Sequence, residues 1–159
     1  MIGCADDDRD ANRIKQVISM MGAQEKIFCC GALGNGLAGK ISNNYLSGTF
    51  LVALSEAMAF GIRSGLDKNV LANIIANSSG DSWMARNLNP VPGIVATAPS
   101  SNGYNRLFGH QMIMKDLDLG IEAAQKQGIA PTMAHTAIEH FKKAAQNPNC
   151  EVSLRHVVE

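Results

Sequence analysis

Residues 26–64 read KIFCCGALGNGLAGKISNNYLSGTFLVALSEAMAFGIRS, and they decide the fold. The first five, Lys26 to Cys30, carry the β-branched and aromatic bias of a short strand. A glycine-rich turn follows, Gly31 to Gly36. From Leu37 to Ser64 the apolar residues Leu37, Ile41, Leu51, Leu54, Met58 and Ile62 recur at three- and four-residue steps or their multiples, which predicts one long helix. Gly65 is placed to stop it and Asp67 to cap the next.

Upstream, Met1 to Cys4 is short and apolar. Asp6, Asp7 and Asp8 offer negative charge to the start of a helix whose apolar face is Ile14, Val17, Ile18 and Met21, with Gly22 as its end. Residues 1–30 thus read strand, helix, strand, which is part of an α/β unit that needs a larger sheet to bury it. Downstream the pattern is helical: Lys68 to Asn77, with Val70, Leu71, Ile74 and Ile75 inward, then a turn at Trp83 to Leu88. Asn89 to Asn105 is irregular and long enough to suggest function. Helices follow from Phe108 to Gln127 and from Pro131 to about Gln146, with a last short one expected after Glu151. Residues 1–35 are expected to be a remnant of a cofactor-binding domain, and 36–159 a helical domain.

The 159 residues suffice for a core, and 46% apolar against 18% charged residues is a globular composition. Lys plus Arg equals Asp plus Glu, 14 each, so no bulk positive field attracts nucleic acid or anionic lipid. The most membrane-like run, Tyr45 to Ile62, is broken by Ser47, Gly48, Thr49, Ser55 and Glu56. It reads as a buried helix of a bundle, with Glu56 a paired buried carboxylate. Cys4, Cys29, Cys30 and Cys150 lack CxxC spacing and read as free thiols. His110, His135, His140 and His156 show no tight metal-ligand spacing, so no metal is expected. Met112 and Met114 read as core filler.

The chemistry concentrates in GALGNGLAGKISNN, residues 31–44. Glycines let backbone N–H groups approach a ligand, and a helix start carries positive partial charge, so a carboxylate or phosphate suits this turn. Lys40 lies one turn into the helix and Asn44 one turn further, on the same face. A lysine beside Leu37 and Ile41 can exchange a proton with a hydroxyl. The bland alternative is a solvated surface lysine after a common kind of turn, since GxxGxG is not the dinucleotide fingerprint GxGxxG. By spacing alone Lys115 and Asp116 are a helix-surface charge pair.

GALGNGLAGKISNN nevertheless resembles the catalytic signature of the β-hydroxyacid dehydrogenases: a GxxGxG loop, a lysine four residues on, then xxNN. AMAFGIRSGLD (57–67) and FGHQMIMKDLDLGIEAA (108–124) resemble two further stretches of that family, in order and at family spacing. The resemblance implies a mostly α fold: a 6-phosphogluconate-dehydrogenase-like C-terminal helical bundle, preceded by a residual strand–helix–strand of a Rossmann sheet. It implies Lys40 as catalytic acid/base and Asn44 as its substrate-holding partner. Gly34, Asn35 and Gly36 would bind the substrate carboxylate, and Lys115 and Phe108 would lie by the cofactor. That cofactor would be NAD, or NADP, with most of its site on a Rossmann domain lacking here. Asn43-Asn44 replaces the His-Asn of the 6-phosphogluconate branch. NGLAGKISNN and SSGDSW (78–83) are most similar to the branch acting on 3-hydroxyisobutyrate, with semialdehyde reductases as alternatives. EVS, near the C-terminus, departs from the family's DFS-type ending. The implied partners are a small hydroxy acid, the Rossmann domain and a second copy in a homodimer or higher homo-oligomer, with neither nucleic acid nor membrane. Mitochondrial residence is implied by resemblance only.

Overall fold

The computed structural model describes residues 1–103 and 110–146, and these are mainly helical. Phe108, Cys150, His156 and the expected helix after Glu151 lie outside the described residues. The helices are α1 (Ala11–Ser19), α2 (Asn35–Arg63), α3 (Lys68–Ala76), α4 (Trp83–Asn87), α5 (His110–Lys126) and α6 (Thr132–Ala145), with 3₁₀ turns at Gln24–Lys26 and Pro99–Asn102. The chain divides into two compact units, Met1–Asn43 and Asn44 onward.

In the first unit the two expected strands contract to one parallel bridge, Ile2 to Cys29. Ile2 N–H donates to the Phe28 carbonyl at 2.8 Å, and the Ile2 carbonyl accepts from Cys30 N–H at 2.8 Å. Lys26 falls in a 3₁₀ turn instead of a strand. Among the described residues no further strand lies beside this parallel pair to extend it, and a bridge is what forms. Helix α1 begins later than the acidic run suggested: no acid lies in its first turn. Asp8 accepts from Asp10 N–H, and Asp6 pairs with Lys15. Ile14 and Ile18 are half-buried, but Val17 and Met21 of the expected apolar face are exposed.

The second unit holds two hydrophobic clusters, and α2 supplies both. Val52 joins Leu117 and Ile121 of α5 and Ala134, Ala137, Ile138 and Phe141 of α6. Leu54 and Met58 join Leu71 of α3, Ala85 of α4 and Val91. Helix α2 is long and apolar enough to span a membrane by length and composition, yet its Leu51, Val52, Leu54, Met58 and Ala59 are buried within the protein. Two of its hydroxyls bond to their own helix: Ser55 Oγ donates to the Leu51 carbonyl at 2.8 Å, and Thr49 Oγ1 to that of Tyr45 at 3.0 Å.

Several side chains depart from the sequence reading. Glu56 is exposed, not buried, and faces His140 at 3.6 Å. On a helix with two buried faces a third still meets water. Val70 and Ile74 are exposed, leaving Leu71 as the buried residue of α3. Met112 is exposed while Met114 packs against the first cluster. The helix stops fall as the residue types dictate. Gly65 adopts φ +93° after α2, and Asp67 accepts from Asn69 and Val70 N–H at 2.9 and 3.1 Å. The irregular stretch is internally bonded. Asn89, 1% exposed, accepts from Val91 N–H through Oδ1 and from Ser100 Oγ through its carbonyl. Ser101 Oγ accepts from Gly93 N–H and donates to the Val95 carbonyl.

Gly48 lies where α2 meets Leu117: an added Cβ would stand 2.8 Å from a Leu117 methyl, and Leu117 is fully buried. Gly48→Ala should therefore destabilise by about 1–3 kcal/mol despite alanine's better helix propensity. Gly22→Ala, with nothing within 4 Å, should be near neutral. Chemical denaturation of both variants, with Gly48→Ala repeated on Leu117→Ala, tests this. The double variant should show a smaller alanine penalty, because the obstructing methyls are gone.

The Asp67 carboxyl is held below the usual carboxylate range by the backbone N–H groups of Val70 and Asn69. Folding thus favours its charged form. The stabilisation is complete above the unfolded carboxylate range and is lost as pH falls through the lowered folded value. Asp67→Ala should lower Tm at neutral pH, and the gap from wild type should close in acid, as read by thermal melts across pH.

Candidate functional site

The glycine turn belongs to the first unit. Gly34 adopts φ +92°, a conformation L side chains rarely take, and its carbonyl accepts from Ala38 N–H at 3.0 Å as α2 begins. Asn35 N–H donates to the Ala32 carbonyl at 3.1 Å. Gly36 is buried, and a Cβ there would meet the Ile2 and Met1 backbone at 3.0–3.1 Å. Gly36 therefore serves close packing against the N-terminal segment, while Gly34 and Asn35 are exposed. Lys40 is exposed as well, and Leu37 beside it is 59% exposed, so no apolar enclosure surrounds the lysine within this unit.

The second unit contains a cavity of about 360 Å³. Among the described residues it is walled by Trp83 and Met84 of α4, Leu88, and Ile113 of α5, and Asn44, Ser47, Gly48 and Asp116 also line it. Helix α4 is positioned by Ser82, whose Oγ accepts from Ala85 N–H at 3.1 Å, and Trp83 remains 64% exposed at the rim. Asp116 is buried, at 9% exposure, and accepts from Asn44 Nδ2 at 2.9 Å. Lys115, which is exposed, stands 3.3 Å from the same carboxylate. The arrangement is an apolar wall facing a charged hydrogen-bond pair, the form of a small-molecule site.

Sequence spacing made Lys115 and Asp116 one surface charge pair. The structure keeps that pair, with Lys115 Nζ 3.3 Å from Asp116, but only the cation is exposed: the carboxylate is buried and also accepts from Asn44. It also adds Ser47, Trp83, Met84, Leu88 and Ile113, for which spacing gave no functional signal. The only hint was the polar SSGDS run before an isolated tryptophan. Asn44 and Lys115 are thus brought together around Asp116. Gly34, Asn35, Gly36 and Lys40 lie in the other unit, and Phe108 lies outside the described residues.

Losing the buried carboxylate removes a charge-assisted hydrogen bond to Asn44. Asp116→Ala should cost about 1–3 kcal/mol of stability, and Asp116→Asn less, because it keeps an acceptor. Urea unfolding of the two variants beside wild type checks the order.

Residues 34–153 match the family described as NAD-binding of NADP-dependent 3-hydroxyisobutyrate dehydrogenase. Among curated relatives, the mouse mitochondrial 3-hydroxyisobutyrate dehydrogenase is 40% identical over 124 residues, 78% of this chain and 36% of that protein. An NAD-dependent L-serine dehydrogenase of Pseudomonas aeruginosa is 38% identical over 116 residues, covering 73% of this chain and 39% of the relative. A solved structure of Mycobacterium tuberculosis 3-hydroxyisobutyrate dehydrogenase with L-serine superposes with a TM-score of 0.83 at 28% identity, over 99% of this chain and 53% of that one. The chain spans little more than a third of the length of the curated relatives it matches. The matched segment takes in most of the glycine-turn signature and both further motif stretches, and on that basis the chain belongs to the 3-hydroxyisobutyrate dehydrogenase-like β-hydroxyacid dehydrogenases.

Proposed function

We propose that this chain supplies the helical, substrate-handling part of an NAD-dependent dehydrogenase that oxidises 3-hydroxyisobutyrate to methylmalonate semialdehyde, a step of valine catabolism. On this reading residues 1–35 belong with the cofactor-binding domain and 36–159 form the helical one. The observation that carries it is the Asn44–Asp116 hydrogen bond at 2.9 Å beside a largely apolar cavity of about 360 Å³, in a chain of this family. A buried carboxylate that fixes one side-chain amide orients it for a ligand. The cavity's volume suits a small acid against a flat ring.

NAD, when bound, supplies the hydride acceptor. Trp83, Met84, Leu88 and Ile113 fit its ring end as an apolar wall, and Lys115, with Phe108, is assigned to that side. NADP is the other possible cofactor. Lys40 Nζ takes the proton from the substrate hydroxyl as hydride leaves the same carbon, and returns it to the aldehyde oxygen in the reverse direction. Asn44 holds the substrate oxygen. The Gly34–Gly36 turn is assigned the carboxylate, and with Gly36 buried the exposed Gly34–Asn35 peptide is the part that would bind it. Alone, the chain is expected to give no turnover.

A second reading is a helical association module. Leu46, Phe50 and Phe60 of α2 are 50%, 46% and 75% exposed, an apolar surface suited to a second copy in a homodimer or larger homo-oligomer. The two readings are compatible in one enzyme. Mitochondrial residence is proposed from the similar relatives alone.

The test is NAD-dependent turnover of 3-hydroxyisobutyrate by a protein of the relatives' length carrying this chain as its C-terminal part. Lys40→Ala should lower kcat by about 10²–10⁴-fold with an unchanged circular dichroism spectrum. Turnover that survives removes Lys40 from the mechanism. Wild-type turnover of tartronate or succinic semialdehyde in place of 3-hydroxyisobutyrate would reassign the substrate to the reductase branch.

A further inference from the structure

Outside the catalytic residues, the first unit places two thiols in contact. Cys4 Sγ and Cys29 Sγ are 3.6 Å apart, on segments fixed side by side by backbone bonds. These are Ile2 N–H to the Phe28 carbonyl, Cys30 N–H to that of Ile2, and Gly31 N–H to that of Cys4, at 2.8, 2.8 and 2.9 Å. Closing the sulfurs to a disulfide, about 2.05 Å, brings them roughly 1.5 Å nearer than they stand.

We propose that Cys4 and Cys29 are an oxidative modification site, closing to an intramolecular disulfide when the protein meets a low-molecular-weight disulfide such as oxidised glutathione. The two cysteines differ in access. Cys4 is buried and Cys29 is half-buried, so Cys29 is the one a solvent-borne disulfide reaches. Cys30 is directed elsewhere, with its thiol at 3.5 Å from the Phe28 carbonyl as neighbouring residues of an extended segment alternate sides.

The exchange balances. Cys29, losing its proton, attacks oxidised glutathione and displaces one glutathione, which takes up a proton. Cys4, losing its proton, then attacks the Cys29 sulfur of the mixed disulfide and displaces the second glutathione, which takes up a proton. Two protein thiols are oxidised, and one disulfide is reduced to two thiols. Burial, the Cys4 contact and the Asp6 carboxylate push the Cys29 thiol up to about 11, against a smaller opposing effect of Lys15. Cys29 therefore rests as a thiol, and exchange is slow. The link would tie down the segment whose Cys4 carbonyl accepts from Gly31 N–H, at the entrance to the glycine turn.

The experiment is incubation of the 159-residue chain with oxidised glutathione over hours, quenching with a thiol alkylator, and mass spectrometry of intact and digested protein. The expected product is lighter by two hydrogens before alkylation, joins the Cys4 peptide to the Cys29 peptide, and reopens with dithiothreitol. Cys30→Ser and Cys150→Ser should still form it, and Cys29→Ser should not. Four alkylated thiols, stable glutathione adducts without the internal link, or a link to Cys30 or Cys150 would overturn the proposal. Because the wild-type digest alone distinguishes linked from alkylated protein, the result stands even where a Cys4 variant fails to fold.

Discussion

The two-sided burial of α2 is the constraint on which the second unit depends. Val52 faces one cluster, and Leu54 and Met58 face the other, so the same two turns close both cores. A helix serving two cores cannot keep a single apolar stripe. That is why this stretch has the hydropathy of a membrane span while packing inside a protein. The close fit at Gly48 under Leu117 belongs to the same requirement, since the shared helix must approach α5 without a side chain between them.

The hydrogen-bond pairing follows from that packing. With both faces covered, the Thr49 and Ser55 hydroxyls of α2 turn to their own backbone, and the Asn44 amide donates to Asp116. Burying that carboxylate without a donor would be costly. The same contact that satisfies it also fixes an amide at the edge of a cavity. Stability and the geometry of the candidate site are thus joined in one bond.

Much of the helical architecture was legible in the sequence because it is written in local chemistry. The expected helix at 37–64 differs by two residues or fewer at each end from the observed Asn35–Arg63, and Gly65 and Asp67 act as their residue types require. What misled depended on neighbours distant in sequence. KIFCC has strand composition, but pairing needs a sheet, and among the described residues it forms one bridge. Glu56 among apolar residues suggested burial, because a one-dimensional pattern does not show that a helix with two packed sides still has a third. The family motifs pointed to Lys40, Asn44 and Lys115, and spacing paired Asp116 with Lys115 as a surface charge pair; its bond to Asn44 and the place of Trp83 beside it depend on how α4 and α5 pack.

The internally bonded stretch from Asn89 to Asn102 bears on recognition. Its asparagine and serine side chains bind its own backbone, and Lys68 reaches the Pro92 carbonyl at 2.6 Å. Segments that must be ordered by a ligand subtract conformational entropy from its affinity. Here Val91 is already seated in the cluster that holds Ala85 of α4, and α4 carries Trp83 and Met84 of the cavity wall. Any ligand that entered that cavity would meet a wall whose loss of chain freedom was met during folding, so its few polar contacts could go to orientation instead of organising the protein.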